Sequence, residues 1–195
     1  MKKTLLISFL GNINYDAHCL NMIDSVLQSN HYCVTAIHVG ADSVAGYSSQ
    51  INIINLNLSN ALYKYLEFYL KIKKIVKKQQ FDILIAGDLY SLPGLCAGKG
   101  KIVFDSREIY TSLAAHINKP AYRWFWYLVE AYCLKFVSVV LTTSSLDKIF
   151  IQKKYQKHKH LFYYNIYNYP KINSVKKNNL LHKKLNISKN KKIVL

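Results

Sequence analysis

The sequence predicts an α/β protein built on an open parallel sheet with helices on both faces. Three observations lead there. Short apolar runs recur along the chain, continuous rather than alternating, as in strands covered on both sides. Amphipathic stretches at helical spacing separate them. Apolar residues make up 51% and charged residues 19% of the 195. That balance suits one domain, or one domain and a short tail, and excludes a disordered, collagenous or coiled-coil chain.

The elements follow in order. Thr4–Leu10 is a continuous apolar run ended by Gly11 and reads as a first strand. Leu20, Ile23 and Val26/Leu27 recur at helical spacing, with Asp16 placed to cap that helix. Tyr32–Val39 and Gln50–Leu58 read as a second and a third strand. Residues 60–78 form an amphipathic helix whose apolar face carries Leu62, Leu66, Tyr69, Ile72 and Val76, with Lys64, Glu67, Lys71, Lys74 and Lys78 opposite. Phe81–Ala86 and Ile102–Phe104 are a fourth and a fifth strand. Pro120 suits a first helical turn and opens an aromatic helix to about Phe136. Val137–Thr142 is a sixth strand, Ser145–Tyr155 a helix and Leu161–Ile166 a last short strand. Residues 171–192 are rich in Lys, Asn and Leu and read as a linker, before a strand-like Ile193-Val-Leu195. Crossovers between parallel strands are right-handed.

Charge is unevenly spread. Lys and Arg number 27 against 10 Asp and Glu, a formal +17. Residues 1–147 carry all ten acids and a net +4; residues 148–195 carry 13 lysines and no acid. The four cysteines, Cys19, Cys33, Cys96 and Cys133, are too scattered for a zinc ribbon or a thioredoxin-type pair and read as buried thiols of a reducing compartment. Lys2-Lys3 and the run after them imitate a signal peptide, but the run is short and no cleavage site follows. The longest apolar stretch, Trp124–Leu141, is interrupted by Glu130 and Lys135, each costing about 2.5–3.5 kcal/mol in a spanning helix.

Ligands of open parallel sheets bind beyond the carboxyl ends of the strands. Those ends bring together Gly11, Asn12, Asp16 and His18 after the first strand, and Asp88 and Tyr90 after the fourth. Asp105, Arg107 and Glu108 follow the fifth, and Thr143, Ser144 and Ser145 the sixth. Gly11 either permits a tight turn or lets the backbone approach a phosphate. Asp16 reads as a helix cap or a ligand contact, His18 as a solvated side chain or a polar contact, and Asp88 as an acceptor for nearby backbone. Asp105, Arg107 and Glu108 are the sharpest cluster: a self-satisfied ion network or a functional rim, of which the second is preferred. Ser144 and Ser145 read as the cap of the following helix. Gly94–Lys99 is one residue short of a phosphate loop, no G-x-G-x-x-G follows the first strand, and no G-x-S-x-G elbow occurs. His158 and His160 lie in a lysine-rich stretch without further ligand candidates, so no metal site is expected.

These rim residues, in this order, resemble the N-terminal, acceptor-side domain of GT-B glycosyltransferases of the family 4-like (group 1) type. Asp16-Ala-His18 is similar to a D-x-R segment, and Ala86-Gly-Asp88-Leu-Tyr-Ser-Leu-Pro93 to H-x-D-x-x-x-x-P. Asp105-Ser-Arg-Glu108 resembles D-x-H-E, Leu141-Thr-Thr-Ser144 a v-T-x-S run, and Tyr167-Asn168-Tyr-Pro170 x-N-x-P. His18 stands where the pattern has arginine, and Arg107 where it has histidine. The resemblance implies a Rossmann-like half of a GT-B fold, with Arg107 and Glu108 as catalytic candidates. Gly11, Asn12, Asp16, His18, Asp88, Tyr90, Asp105, Ser144 and Asn168 are the substrate-binding candidates. It implies no cofactor or metal, a nucleotide-sugar donor held mostly by a second, C-terminal domain, and retention of configuration.

On this expectation residues 1–170 are the half-domain, 171–192 a linker and 193–195 the first strand of a missing or separately encoded partner domain. The chain alone is expected to be inactive. The implied acceptor is a cell-envelope glycan or a lipid-linked one, and the location is cytoplasmic, free or peripheral at the inner face of the membrane. Lysines of the 60–78 helix and Arg123-Trp-Phe-Trp-Tyr127 suit an anionic membrane surface. No recognised nucleic-acid module accompanies the positive charge, which disfavours that partner. The alternatives are a non-catalytic binding module on the same fold and a basic membrane or nucleic-acid binder.

Overall fold

A computed structural model of the chain describes residues 2–44, 46–47, 49–59, 63–113, 118–167 and 183–188. The elements are β1 (Lys3–Ser8), α1 (Ala17–Gln28), β2 (Tyr32–His38), β3 (Asn52–Asn55), α2 (Lys64–Lys78), β4 (Ile83–Ala86) and α3 (Leu92–Leu95). They continue with β5 (Lys101–Ser106), α4 (Pro120–Cys133), β6 (Val137–Thr142), α5 (Ser145–Lys154) and β7 (Phe162–Asn165). The strands pair in parallel in the order β3-β2-β1-β4-β5-β6-β7. Short single-turn helices at Ile13–Tyr15 and Tyr110–Ser112 lead into α1 and follow β5.

The strand order reverses direction between β1 and β4, and right-handed crossovers then divide the helices. Chain moving outward from β1 places α1 and the 39–51 connection on one face. There Leu5, Ile7, Val34, Ala36 and Ile85 meet Cys19, Ile23, Val44 and Ile51. Chain moving the other way places α2–α5 on the second face. There Leu6, Leu84, Ile102, Phe104 and Val140 meet Phe68, Ile72, Leu92, Trp126 and Ile151. Coverage is uneven, because nothing beyond α1 lies over the far strands on the first face among the described residues. Phe162 and Tyr164 of β7 stand 64% and 56% exposed, beside the partly covered Val139 and Leu141 of β6.

Two details depart from the expectations of the sequence, and one lies beyond the described residues. The buried stripe of α2 is Phe68, Ile72 and Val76, while Leu66 is exposed; Leu62 lies outside the described residues. The stripe rotates because α2 packs against α3, an element without a periodic signal, and Gly94 lets the two approach: a Cβ there would sit 2.7 Å from Ile72. Cys33 is exposed, whereas Cys19 and Cys133 are buried and Cys96 lies between. The boundaries drawn within 168–195 fall largely outside the described residues.

Candidate functional site

The reversal of strand order sets the switch point of the sheet at the carboxyl ends of β1, β4 and β5, where folds of this kind carry a crevice, and one side chain organises the residues there. Arg107, directly after β5, extends across β4 to the start of α1. Its Nη1 donates to both Asp16 oxygens at 2.7 Å, and its Nη2 to the Gly87 carbonyl at 2.7 Å and to Cys19 Sγ at 3.0 Å. Its Nε lies 2.9 Å from Asp105 Oδ2, which is also 3.0 Å from His18 Nε2. Those two contacts have ion-pair distances without hydrogen-bonding angles. The guanidinium stacks over the Phe9 ring at 5.1 Å. A planar fork meeting a carboxylate, a carbonyl and a ring is the use for which arginine is suited and lysine is not.

Local chemistry places each partner. Asp16 caps α1 by accepting from the Cys19 backbone N–H at 2.7 Å. Burial alone would raise its pKa, but that N–H and the Arg107 guanidinium outweigh burial and hold the carboxyl below its ordinary value. Arg107 shows the mirror image: burial opposes its charge, while the Asp105 and Asp16 carboxylates around it push its pKa up. Burial drives the Cys19 thiol up to about 12, so it stays a neutral thiol against the guanidinium. Space at Gly87 is tight: a Cβ would lie 3.1 Å from the Ser8 carbonyl and 3.3 Å from Arg107 Nη2, so both would have to give by a few tenths of an ångström. At Gly11 a Cβ would stand 2.6 Å from the Phe9 ring that supports the arginine.

Asp88 forms a second clasp. It accepts from the Leu10 N–H at 2.5 Å and the Ser91 N–H at 2.7 Å, tying the end of β1 to the turn before α3. It is 4% exposed, and burial pushes its pKa up against those two donors. Tyr90 joins an aromatic cluster, with ring centroids 4.7 Å from Tyr65, 4.9 Å from Trp126 and 5.7 Å from Tyr110.

The structure thus gathers Gly11, Asp16, His18, Asp88, Asp105 and Arg107 within one crevice and turns most of them towards protein partners. Asn12 accepts from the Asn14 N–H at 3.0 Å and caps the first single-turn helix. Ser144 caps α5, accepting from Asp147 N–H and donating to its carboxylate at 2.6 Å. Glu108 is exposed and opens to solvent beside the crevice, as does Ser145. Tyr15, 89% exposed at the lip of α1, is a rim residue the sequence reading passed over. Asn168 lies outside the described residues. Cys19, Gly87 and Phe9 are the other residues missed, since each acts through Arg107 and carries no motif.

Two larger recesses lie elsewhere on the domain, one of them touching this rim at His18. One of about 630 Å³ runs along α1 and includes His18, Leu141, Ile166 and Tyr167. Another of about 490 Å³ lies at the amino ends of the strands, around Lys2, Thr4 and Phe81, away from the gathered polar groups. Among the described residues, no group of three or more His, Cys, Asp or Glu is placed to hold a metal ion, and no helix is long and apolar enough to cross a membrane.

No protein-family model and no curated protein sequence matches the chain. Solved structures do. TcCGT1 in complex with UDP superposes with a TM-score of 0.61 at 12% identity, covering 95% of this chain and 55% of that one. The lipopolysaccharide outer core galactosyltransferase WaaB gives 0.54 at 14%, over 90% and 48%. The UDP-GlcNAc 2-epimerase of Methanocaldococcus jannaschii gives 0.54 at 13%, over 84% and 45%. The chain spans about half the length of these structures. Sheet order and extent of match together give this chain the Rossmann-like fold of one half of the GT-B architecture.

Proposed function

We propose that the chain is the acceptor-side half of a glycosyltransferase that moves a sugar from a nucleotide-sugar to a cell-envelope glycan or lipid-linked acceptor. A second half, covalently continuous or separately encoded, holds most of the donor and supplies the remaining catalytic groups. The chain alone does not turn over. The observation that carries this reading is the match over nearly the whole chain to only half of each relative, with the polar rim at the strand ends where such folds bind ligands. Within the rim, Arg107 positions Asp16, Gly87 and Asp105, while Glu108 and the exposed Tyr15 ring face the substrate side. A ring of that kind suits the apolar face of a sugar. WaaB, a lipopolysaccharide enzyme by description, supports a cell-envelope acceptor. The net +17 and the exposed aromatic residues of α4 support a location at an anionic membrane surface on the cytoplasmic side.

One observation favours a second reading, a non-catalytic binding module on the same fold: Arg107, Asp105, Asp16 and His18 engage one another rather than open space. The coding DNA beyond codon 195 separates the two. A second Rossmann-like domain in frame or in the adjacent reading frame, whose addition produces nucleoside diphosphate release from a nucleotide-sugar, supports the transferase. Turnover by residues 1–195 alone, or no such domain and no turnover in any combination, overturns it.

A further inference from the structure

Beside the crevice, where α4 begins, lies a feature that the rim chemistry does not use. A shallow pocket of about 320 Å³ is bounded by Thr111, Pro120, Arg123, Trp124 and Tyr127. Its cations are held in place. Arg123 Nε donates to the Thr111 carbonyl at 2.8 Å, which fixes the guanidinium at the pocket wall. Lys154 of α5 donates to Thr111 Oγ1 at 2.7 Å and lies over the Tyr127 ring at 5.3 Å, behind two residues of the pocket wall.

The charge there does not balance. The nearby carboxylate, Glu130, is 3% exposed, lies 3.3 Å from Lys154 and accepts from the Tyr155 hydroxyl at 2.5 Å. It neutralises one of the two cations. Arg123 also adds to the burial that lowers the Lys154 pKa, as two cations sharing one acid should. Arg123 is thus left without a carboxylate partner among the described residues, at the wall of a shallow recess. The other acid on these two helices, Asp147, is bound to Ser144 at the far end of α5.

The surroundings indicate what brings the missing negative charge. Trp124, Leu128 and Tyr132 recur every four residues on the outer face of α4, continued by Phe136 past its end, and all are exposed, Trp124 at 66%. Lys119 and Lys135 flank this apolar stripe. A stripe of Trp, Leu, Tyr and Phe bordered by cations fits the interface of a bilayer, where the rings enter the acyl boundary and the cations meet phosphates. The pocket lies at the edge of that stripe, at the depth of a lipid headgroup when the stripe is immersed.

We propose that the Arg123 pocket, backed by Lys154, is a headgroup site for the phosphate monoester of an anionic lipid, seated while the Trp124–Leu128–Tyr132 stripe enters the bilayer. The proposal rests on the membrane reading above and refines it from a diffuse surface to one site. An arginine fork held by a backbone carbonyl matches phosphate geometry.

The test is sedimentation of the full chain with phosphatidylcholine vesicles containing phosphatidic acid, with Trp124 fluorescence read against bromine-labelled acyl chains. The wild-type chain is expected to bind and to be quenched. Arg123→Gln should lose about tenfold or more in binding, and Arg123→Lys should lose less. Lys135→Gln, the same charge change on the same face outside the pocket, should lose no more than about fivefold. Unchanged melting of Arg123→Gln confirms that its exposed side chain acts on binding and not on folding. Equal losses for Arg123→Gln and Lys135→Gln overturn the pocket and leave the membrane reading standing. No binding by the wild type overturns both. Full competition by inorganic phosphate without quenching of Trp124 overturns the lipid assignment in favour of a soluble phosphate.

Discussion

Replacing Arg107 by Met separates a positioning role from a catalytic one. The substitution keeps an unbranched apolar stem above Phe9 but removes the donors to Asp16, Gly87 and Cys19 and the positive charge beside Asp105. Asp105 is 1% exposed and would be left facing only His18. Removing one member of a buried, hydrogen-bonded ion pair costs about 3–5 kcal/mol, because the remaining charge is stranded. For a chain of this size about 2–4 °C of melting temperature accompanies each kcal/mol, so the midpoint should fall by about 6–20 °C. Arg107→Lys keeps the charge, loses the fork and should fall between. Thermal and urea unfolding followed by circular dichroism measure both. A loss below about 1 kcal/mol for Arg107→Met would refute the clasp and return the guanidinium to substrate chemistry.

Further outcomes follow from the same geometry. Asp88→Ala leaves the Leu10 and Ser91 N–H groups without their acceptor and should cost about 1–3 kcal/mol in urea unfolding, although Asp88 resembles a ligand-binding position. Gly87→Ala forces a Cβ between the Ser8 carbonyl and Arg107 and should cost about 1–3 kcal/mol, read by the same unfolding curves. Glu108→Gln, at an exposed position, should leave stability within about 0.5 kcal/mol, and should reduce transfer in the assembled two-half enzyme. Asp16 is held below its unfolded pKa, so its contribution is complete above the unfolded value of about 3.9 and is lost as pH falls through the lower folded value. Melting temperature below pH 4 should therefore fall less steeply for Asp16→Asn than for the wild type.

Much of this arrangement was legible in the sequence, for identifiable reasons. The cap at Asp16 and the cap at Ser144 are local chemistry, decided within three residues, and both stand as read. The alternation of apolar runs and helices places the rim because parallel strands carry their carboxyl ends to one side. What could not be read is long-range. The Arg107–Asp16 contact joins residues 91 apart, and nothing at either position names the other. The charged cluster after β5 left two readings open, and the structure makes Asp105 and Arg107 part of a closed network while leaving Glu108 outside it. The exposure of Phe162 and Tyr164 among the described residues depends on strand order, which periodicity does not encode. Gly11, read as a turn or a phosphate approach, has its smallness accounted for by an aromatic ring two residues earlier.

The most direct measurement of the central claim, that this rim is one half of a nucleotide-sugar site, is amide chemical-shift mapping of the isotope-labelled chain with a UDP-sugar, with nucleotide release monitored in the same tube. The account predicts shifts at Gly11, Asn12, Gly87, Glu108 and Thr143 and no release. Shifts confined to Lys2, Thr4 and Phe81 at the opposite edge, or turnover by the chain alone, would contradict it.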